Sequence, residues 1–317
     1  MSATIKKSLK IILPLALGGF LVWYSLSKIS IDVLIGYFKN AKYSWIFLGL
    51  FFGILSHLSR AYRWKFMLEP IGYKPKFTNS VLAVLIAYLV NLAIPRAGEV
   101  SRAAVLSNYE NVPFEKGFGT IVAERIADLI MMLSIVAITL FVQFDFIFNL
   151  LSKNFNPVKT GSILLILLVG FYLLMRYVKK ATSGIGLKIK NFISGLVEGV
   201  TSILKMKHKW AFIFHTVFIW AMYVAMFWAT IPAIEGLNVP FGGVLIGFIA
   251  GGFSIAATNG GIGLYPIAVA GALALFGINE EPATAFGWIM WTAQTLMIIV
   301  FGGLAFLFLP IYNKNKK

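Results

Sequence analysis

Cysteine is absent from the chain, which excludes disulfide frameworks and thiolate metal sites. Histidine is nearly absent, and His57, His208 and His215 show no metal-ligand spacing. Charge is scarce as well. Only 13% of the 317 residues are charged, against 59% apolar, where soluble domains carry about a quarter charged residues. No charge lies between Glu235 and Glu280, and none between Glu281 and Lys314. Apolar runs of about 18 residues or more read as membrane spans, so a water-soluble fold is excluded. The longest polar stretch, Arg176 to Lys209, leaves room for a connecting loop with one surface helix, not for a soluble domain. Gly260-Gly-Ile-Gly263 follows no strand and precedes no Gly-Lys-Ser/Thr, so a nucleotide loop is excluded. No cofactor is expected. No His/Asp cluster supports catalysis, and the chain is read as a non-enzyme.

What is present is positive. The net charge is +16. Its lysines and arginines sit in short loops beside apolar spans, the pattern that sets membrane orientation. Nucleic acid is therefore not the expected partner; the bilayer is, with attraction to anionic lipids as a by-product. Lys6, Lys7 and Lys10 precede the apolar run Ile11–Leu26, as in a signal peptide. Ser25-Leu-Ser27 is a poor cleavage site, and the internal repeat needs this segment as a helix.

That repeat is weak but extends through the chain. Val84-Leu-Ile-Ala-Tyr-Leu recurs as Val244-Leu-Ile-Gly-Phe-Ile. Ala61-Tyr-Arg-Trp64 is echoed by Ala225-Met-Phe-Trp228, and Phe118-Gly119 by Phe286-Gly287. Each half reads as four elements: Ile11–Leu26, Ser44–Met67, Asn79–Leu106 and Lys116–Phe144, then Gly161–Val178, Trp210–Ile234, Phe241–Phe276 and Ala283–Pro310. The third element of each half is broken, by Pro95-Arg-Ala-Gly98 and by Thr258-Asn-Gly-Gly-Ile-Gly263. Its pieces are too short to span a bilayer at 1.5 Å per residue. Freed backbone groups must face water or protein, and paired broken segments are the pattern of inverted-repeat transporters.

Loop charge fixes the expected topology. If each broken segment enters and leaves on one side, Arg60–Lys76, Arg102–Lys116, Arg176–Lys209 and the tail Lys314–Lys317 lie inside. Lys28–Lys42, Asp145–Lys159, Ile231–Pro240 and Gly277–Pro282 then lie outside, although the first two carry five lysines. The expected fold is thus an all-α polytopic membrane protein with about six full transmembrane helices and two re-entrant broken hairpins in two inverted repeats. It forms one transmembrane domain over residues 1–317, with repeat one at about 9–150 and repeat two at about 160–312. It resides in the cytoplasmic (inner) membrane with both termini in the cytoplasm, and a homodimer is open to it.

Charges at membrane depth mark function or pairing. Arg96, Glu99 and Arg102 follow at three-residue steps, and so do His57, Arg60 and Arg63. Glu124 and Asp128 flank Arg125 one turn into an apolar helix, and Gln294 is the nearest polar counterpart in the second half. One reading makes Glu99, Glu124 and Asp128 structural counter-ions, with Arg60 and Arg63 as cytoplasmic anchors. The other makes the group a polar pocket: five arginines against three acids leave two positive charges. Guanidinium groups grip phosphate bidentately, and the half-helix starting near Gly98 offers free N–H groups. Arg96 and Arg125 are then the expected phosphate ligands, with Asn259 and Tyr265 as polar groups of the second tip. Gly243, Gly247 and Gly251 recur every fourth residue, for which close helix packing is the sufficient account.

Pro95-Arg-Ala-Gly-Glu-Val-Ser-Arg102, Glu124-Arg-Ile-Ala-Asp128 and the glycine break together resemble the transmembrane domain of lysylphosphatidylglycerol synthases, which also occurs alone. The resemblance covers essentially the whole chain. It implies a flippase or scramblase moving an anionic or aminoacylated phospholipid, or another phosphate-bearing lipid, between leaflets. The soluble aminoacyl-transferase domain has no counterpart here. The family often has an acidic residue after the glycine break, where this chain has Tyr265-Pro266. Small-molecule or ion transport, and action on lipid-linked envelope precursors as an enzyme or a partner, are the competing readings.

Overall fold

The computed structural model describes residues 16–154 and 157–314. Lys6, Lys7, Lys10, the start of the Ile11–Leu26 segment and most of the basic tail lie outside the described residues. Every regular element among the described residues is helical. The first is α1 (Ala16–Leu26), followed at a bend of 80° by α2 (Ile31–Asn40). The sequence places a loop at Lys28–Lys42; α2 occupies it instead. Ser30 caps α2 by accepting a hydrogen bond from the Val33 N–H at 3.3 Å, and Asp32 sits in its first turn, where an acid favours the positive helix end.

The remaining helices are α3 (Tyr43–Leu68), α4 (Phe77–Ala93), α5 (Ala97–Glu110), α6 (Phe114–Val142), α7 (Phe144–Asn154), α8 (Pro157–Lys180), α9 (Gly184–Lys205), α10 (Lys209–Thr230), α11 (Phe241–Ala257), α12 (Leu264–Ala274) and α13 (Glu280–Tyr312). Four of the described helices are long and apolar enough to cross a bilayer: α3, α6, α10 and α13, with short 3-10 turns extending α3 and α10; the bent α1–α2 pair would make a fifth. The protein is therefore a multi-pass, all-helical membrane protein. The chain divides into two compact units, Met1–Glu124 with Trp210–Lys317, and Arg125–Lys209. In the second unit α7 replaces the loop expected at Asp145–Lys159, and the helix α9 lies between Arg176 and Lys209.

In the first unit both broken segments are helical hairpins, α4–α5 and α11–α12. Proline 95 and the strained residue after it end the first; the second turns on Gly260, Gly261 and Gly263, at φ of +67°, +79° and +67°. Side chains avoid that conformation, so the glycines make the break. Gly243, Gly247 and Gly251 are close-packing positions as expected: a Cβ at Gly247 would lie 2.9 Å from the Phe227 ring and one at Gly251 2.7 Å from the Tyr265 ring.

Helix α13, about 50 Å long at 1.5 Å per residue, acts as a ruler for the two hairpins. Asn313 at its end exchanges two 2.9 Å hydrogen bonds with Asn79 near the start of α4. Gly302 lies against Leu85 and Leu89 of the same helix. Toward the other end, Trp291 Nε1 donates to the Gly260 carbonyl at 2.8 Å, and Gly287 lies against Pro266. The hairpins thus approach from opposite ends of α13. Their tips touch: Asn259 Nδ2 donates to the Leu92 carbonyl at 3.0 Å.

Loop contacts follow the same polarity. Lys28 pairs with Glu280 at 3.3 Å and Lys42 with Glu235 at 3.5 Å, while Tyr37 donates to Glu281 at 3.1 Å. Three loops expected on one side therefore meet at one end of the unit, and two of the three lysines of Lys28–Lys42 are matched by acids. At the other end Asn79 also donates to Glu110, and Lys116 lies over the Tyr73 ring.

Candidate functional site

The three-residue stripe on α3 is buried. His57, Arg60 and Arg63 are 6%, 3% and 0% exposed, so the two arginines are not surface anchors. Residues three apart share a helix face, and this face meets Tyr88 of α4, Thr216 and Tyr223 of α10 and Glu124 of α6. The stripe thus becomes a polar seam through an apolar unit.

Glu124 is its centre. Fully buried, it accepts from Arg63 Nε at 3.3 Å and from Arg102 Nη1 at 2.5 Å. Arg63 also donates to the Thr216 hydroxyl at 3.0 Å and lies 5.3 Å from the Phe212 ring. The Arg102 guanidinium lies 3.8 Å above the Trp64 ring, a cation–π contact worth roughly 0.5–2 kcal/mol. The indole is itself fixed, donating to Thr120 Oγ1 at 2.7 Å. One carboxylate therefore joins two guanidiniums from helices distant in sequence, and an aromatic ring lies against each guanidinium.

One turn along α3, Arg60 Nη2 donates to Tyr223 Oη at 3.4 Å. The Tyr223 and Tyr88 hydroxyls are 3.1 Å apart, and the His57 ring lies 4.4 Å from that of Tyr88. On the neighbouring face Ser59 Oγ is hydrogen-bonded to His215 Nδ1 at 2.8 Å. Tyr88, Tyr223, Thr216 and Trp64 escape sequence reasoning. Their only signal is a hydrogen-bonding group in the middle of an apolar helix.

The other expected residues lie elsewhere. Arg96 is exposed at the first tip as the N-cap of α5, in the left-handed conformation at φ +63°. It is exposed, where Arg102 on the same helix is buried. Glu99 is half-buried in the first turn of α5. Arg125, on the same helix as Glu124 but about 100° round it, pairs with Asp128 at 3.5 Å and is 44% exposed. Asn259 ties the tips together, and Tyr265 is buried against Gly251 with Gln294 beside it. No group of three or more His, Asp or Glu that could hold a metal occurs among the described residues. Chemically, the seam offers guanidinium N–H groups and hydroxyls to an anion.

The profile of the family described as lysylphosphatidylglycerol synthase TM region matches residues 11–303. The UPF0104 membrane protein MJ1595 of Methanocaldococcus jannaschii is 32% identical over 106 residues, 32% of this chain and 32% of that protein. The glycosyltransferase AglD of Haloferax volcanii is 31% identical over 88 residues, 27% of this chain and 14% of that protein. The matched stretch is thus a third or less of either relative. No solved structure matches the chain.

Proposed function

The chain belongs to the lysylphosphatidylglycerol synthase TM region family, and from that premise we propose that it moves a phosphate-bearing lipid between leaflets, without catalysing a reaction. In this reading α1, α3, α6, α8, α10 and α13 cross the membrane. The hairpins are re-entrant halves of two inverted repeats, and both termini face the cytoplasm. The observation that carries the reading is the seam: Arg60, Arg63 and Arg102 are buried in a membrane domain with Glu124 between two of them. Charges at that depth are costly, and a phosphodiester can take the N–H groups that Glu124 now holds. Glu124 then serves as a counter-ion that yields to the headgroup and closes the seam when it leaves. The acyl tails stay in the bilayer, and an ion gradient or downstream consumption supplies direction.

Proteoliposomes containing tail-labelled fluorescent phosphatidylglycerol test this, with the outer leaflet bleached by a membrane-impermeant reductant. Wild-type protein is expected to expose inner-leaflet lipid. Arg63→Lys and Arg102→Lys are expected to slow it about tenfold or more, as one lost charge-assisted hydrogen bond does. Wild-type rates in both variants refute bidentate phosphate recognition. A second reading, handling of a lipid-linked sugar precursor, is favoured by the similarity to a glycosyltransferase. The same vesicles decide it when a polyprenyl-phosphate sugar replaces phosphatidylglycerol.

A further inference from the structure

A cavity of about 230 Å³ lies between α3, α4 and α13, away from Glu124. Its walls are aliphatic and aromatic, including Ile54, Leu58, Val81, Leu85 and Phe301, and only His57 and Tyr88 bring polar atoms. An apolar cavity of about 150 Å³ already stays dry and takes up benzene, so water is not the natural occupant here. Leu58 and Phe301 at the wall are 37% and 40% exposed. They belong to two of the helices apolar enough to span. Exposed apolar side chains on spanning helices face lipid hydrocarbon.

The polar end carries a second observation. His57 is buried, lines the cavity, and its Nδ1 has no hydrogen-bond partner. A buried ring nitrogen left unmade costs free energy. Tyr88, beside it, leads through Tyr223 to Arg60. The cavity therefore has an apolar body open toward lipid and a polar floor continuous with the arginine seam.

We propose that this cavity binds one hydrocarbon chain of a bilayer phospholipid, entering sideways past Leu58 and Phe301 and directing the lipid's polar end toward His57 and Tyr88. The identity of the headgroup rests on the transport reading; the tail site rests on the cavity. Tail and head are then held in different places: dispersion and hydrocarbon burial fix the chain, and the seam selects the phosphate.

The test uses the full-length protein in phosphatidylglycerol vesicles doped with phosphatidylglycerol carrying a diazirine near the end of one acyl chain. After illumination, adducts are mapped by mass spectrometry. Enrichment at Ile54, Leu85 and Ile298 over the lipid-facing Phe306 and Leu307 is expected. Leu58→Trp, which narrows the mouth at a partly exposed position, is expected to cut the cavity adducts about tenfold, the effect of excluding about two methylene groups. Ile54→Phe is the second variant should the first misfold, and Leu304→Trp, on an exposed face of α13, should change nothing. Adducts spread evenly over lipid-facing residues, or cavity adducts indifferent to both filling variants, overturn the proposal. Cavity adducts in vesicles that move no lipid support the tail site while the transport reading falls. Transport without cavity enrichment overturns the tail site alone.

Discussion

At the scale of the residue, neighbouring charges on α6 have opposite roles. Glu124 is fully buried between Arg63 and Arg102, whereas Arg125 is 44% exposed beside Asp128. Removing one partner of a buried ion pair leaves the other charge uncompensated. Glu124→Gln should therefore lower stability by roughly 3–5 kcal/mol. Arg125→Gln should cost only about 0–1 kcal/mol, since an exposed pair is screened. Melting in detergent, followed by tryptophan fluorescence, measures both. Equal losses would mean that Glu124 is not the keystone described. Sequence proximity suggests that Glu124 and Asp128 share Arg125. It cannot show that Arg63, far along the chain, arrives at 3.3 Å from the same carboxylate.

At the scale of the element, the two hairpin tips differ in what their backbone conformation asks of a side chain. Arg96 occupies a left-handed N-cap, a conformation that costs a side chain roughly 1–2 kcal/mol. Arg96→Gly should raise the melting temperature or leave it unchanged. If Arg96 meets headgroups at the tip, the same variant should transport more slowly. A fall in stability would mean that its side chain holds the hairpin. Gly263 is a different case, because a Cβ there would lie 2.5 Å from the Leu21 carbonyl carbon of α1, at a φ of +67°. Gly263→Ala should destabilise by roughly 1–3 kcal/mol, read by the same melting experiment. The glycine break was legible in the sequence as a break. That it also seats α12 on the backbone of α1 was not, because residues 21 and 263 share no pattern that a linear reading can detect.

At the scale of the whole molecule, the opposed hairpins make a prediction about sides. The absence of native cysteine lets single cysteines report exposure. Asn108→Cys lies at the α13 C-terminal end of the first unit, and Asn279→Cys at the opposite end; both positions are exposed. In intact cells an impermeant maleimide should label the second, and label the first only after the membrane is opened. Labelling of both from outside would refute the inverted arrangement. The loop lysines illustrate why charge counting alone was ambiguous. Lys28 and Lys42 read as excess positive charge outside, yet Glu280 and Glu235 lie within 3.5 Å of them.

Composition and order along the chain announce the medium and the punctuation. Apolar, uncharged runs of about 18 residues or more require lipid, and a proline–glycine or multi-glycine break requires a turn; both are local properties of composition. Residue order also displays the α3 stripe and the Glu124 motif, because helical spacing is written into residue number. Which charges meet is set by the packing of the helices. Arg63, Arg102 and Glu124 come from three helices, and Tyr88 and Tyr223 from two others on which nothing periodic marks them. A buried charge must find its partner through space, and in this fold hairpins that approach from opposite ends of one long helix set which residues are close enough to serve.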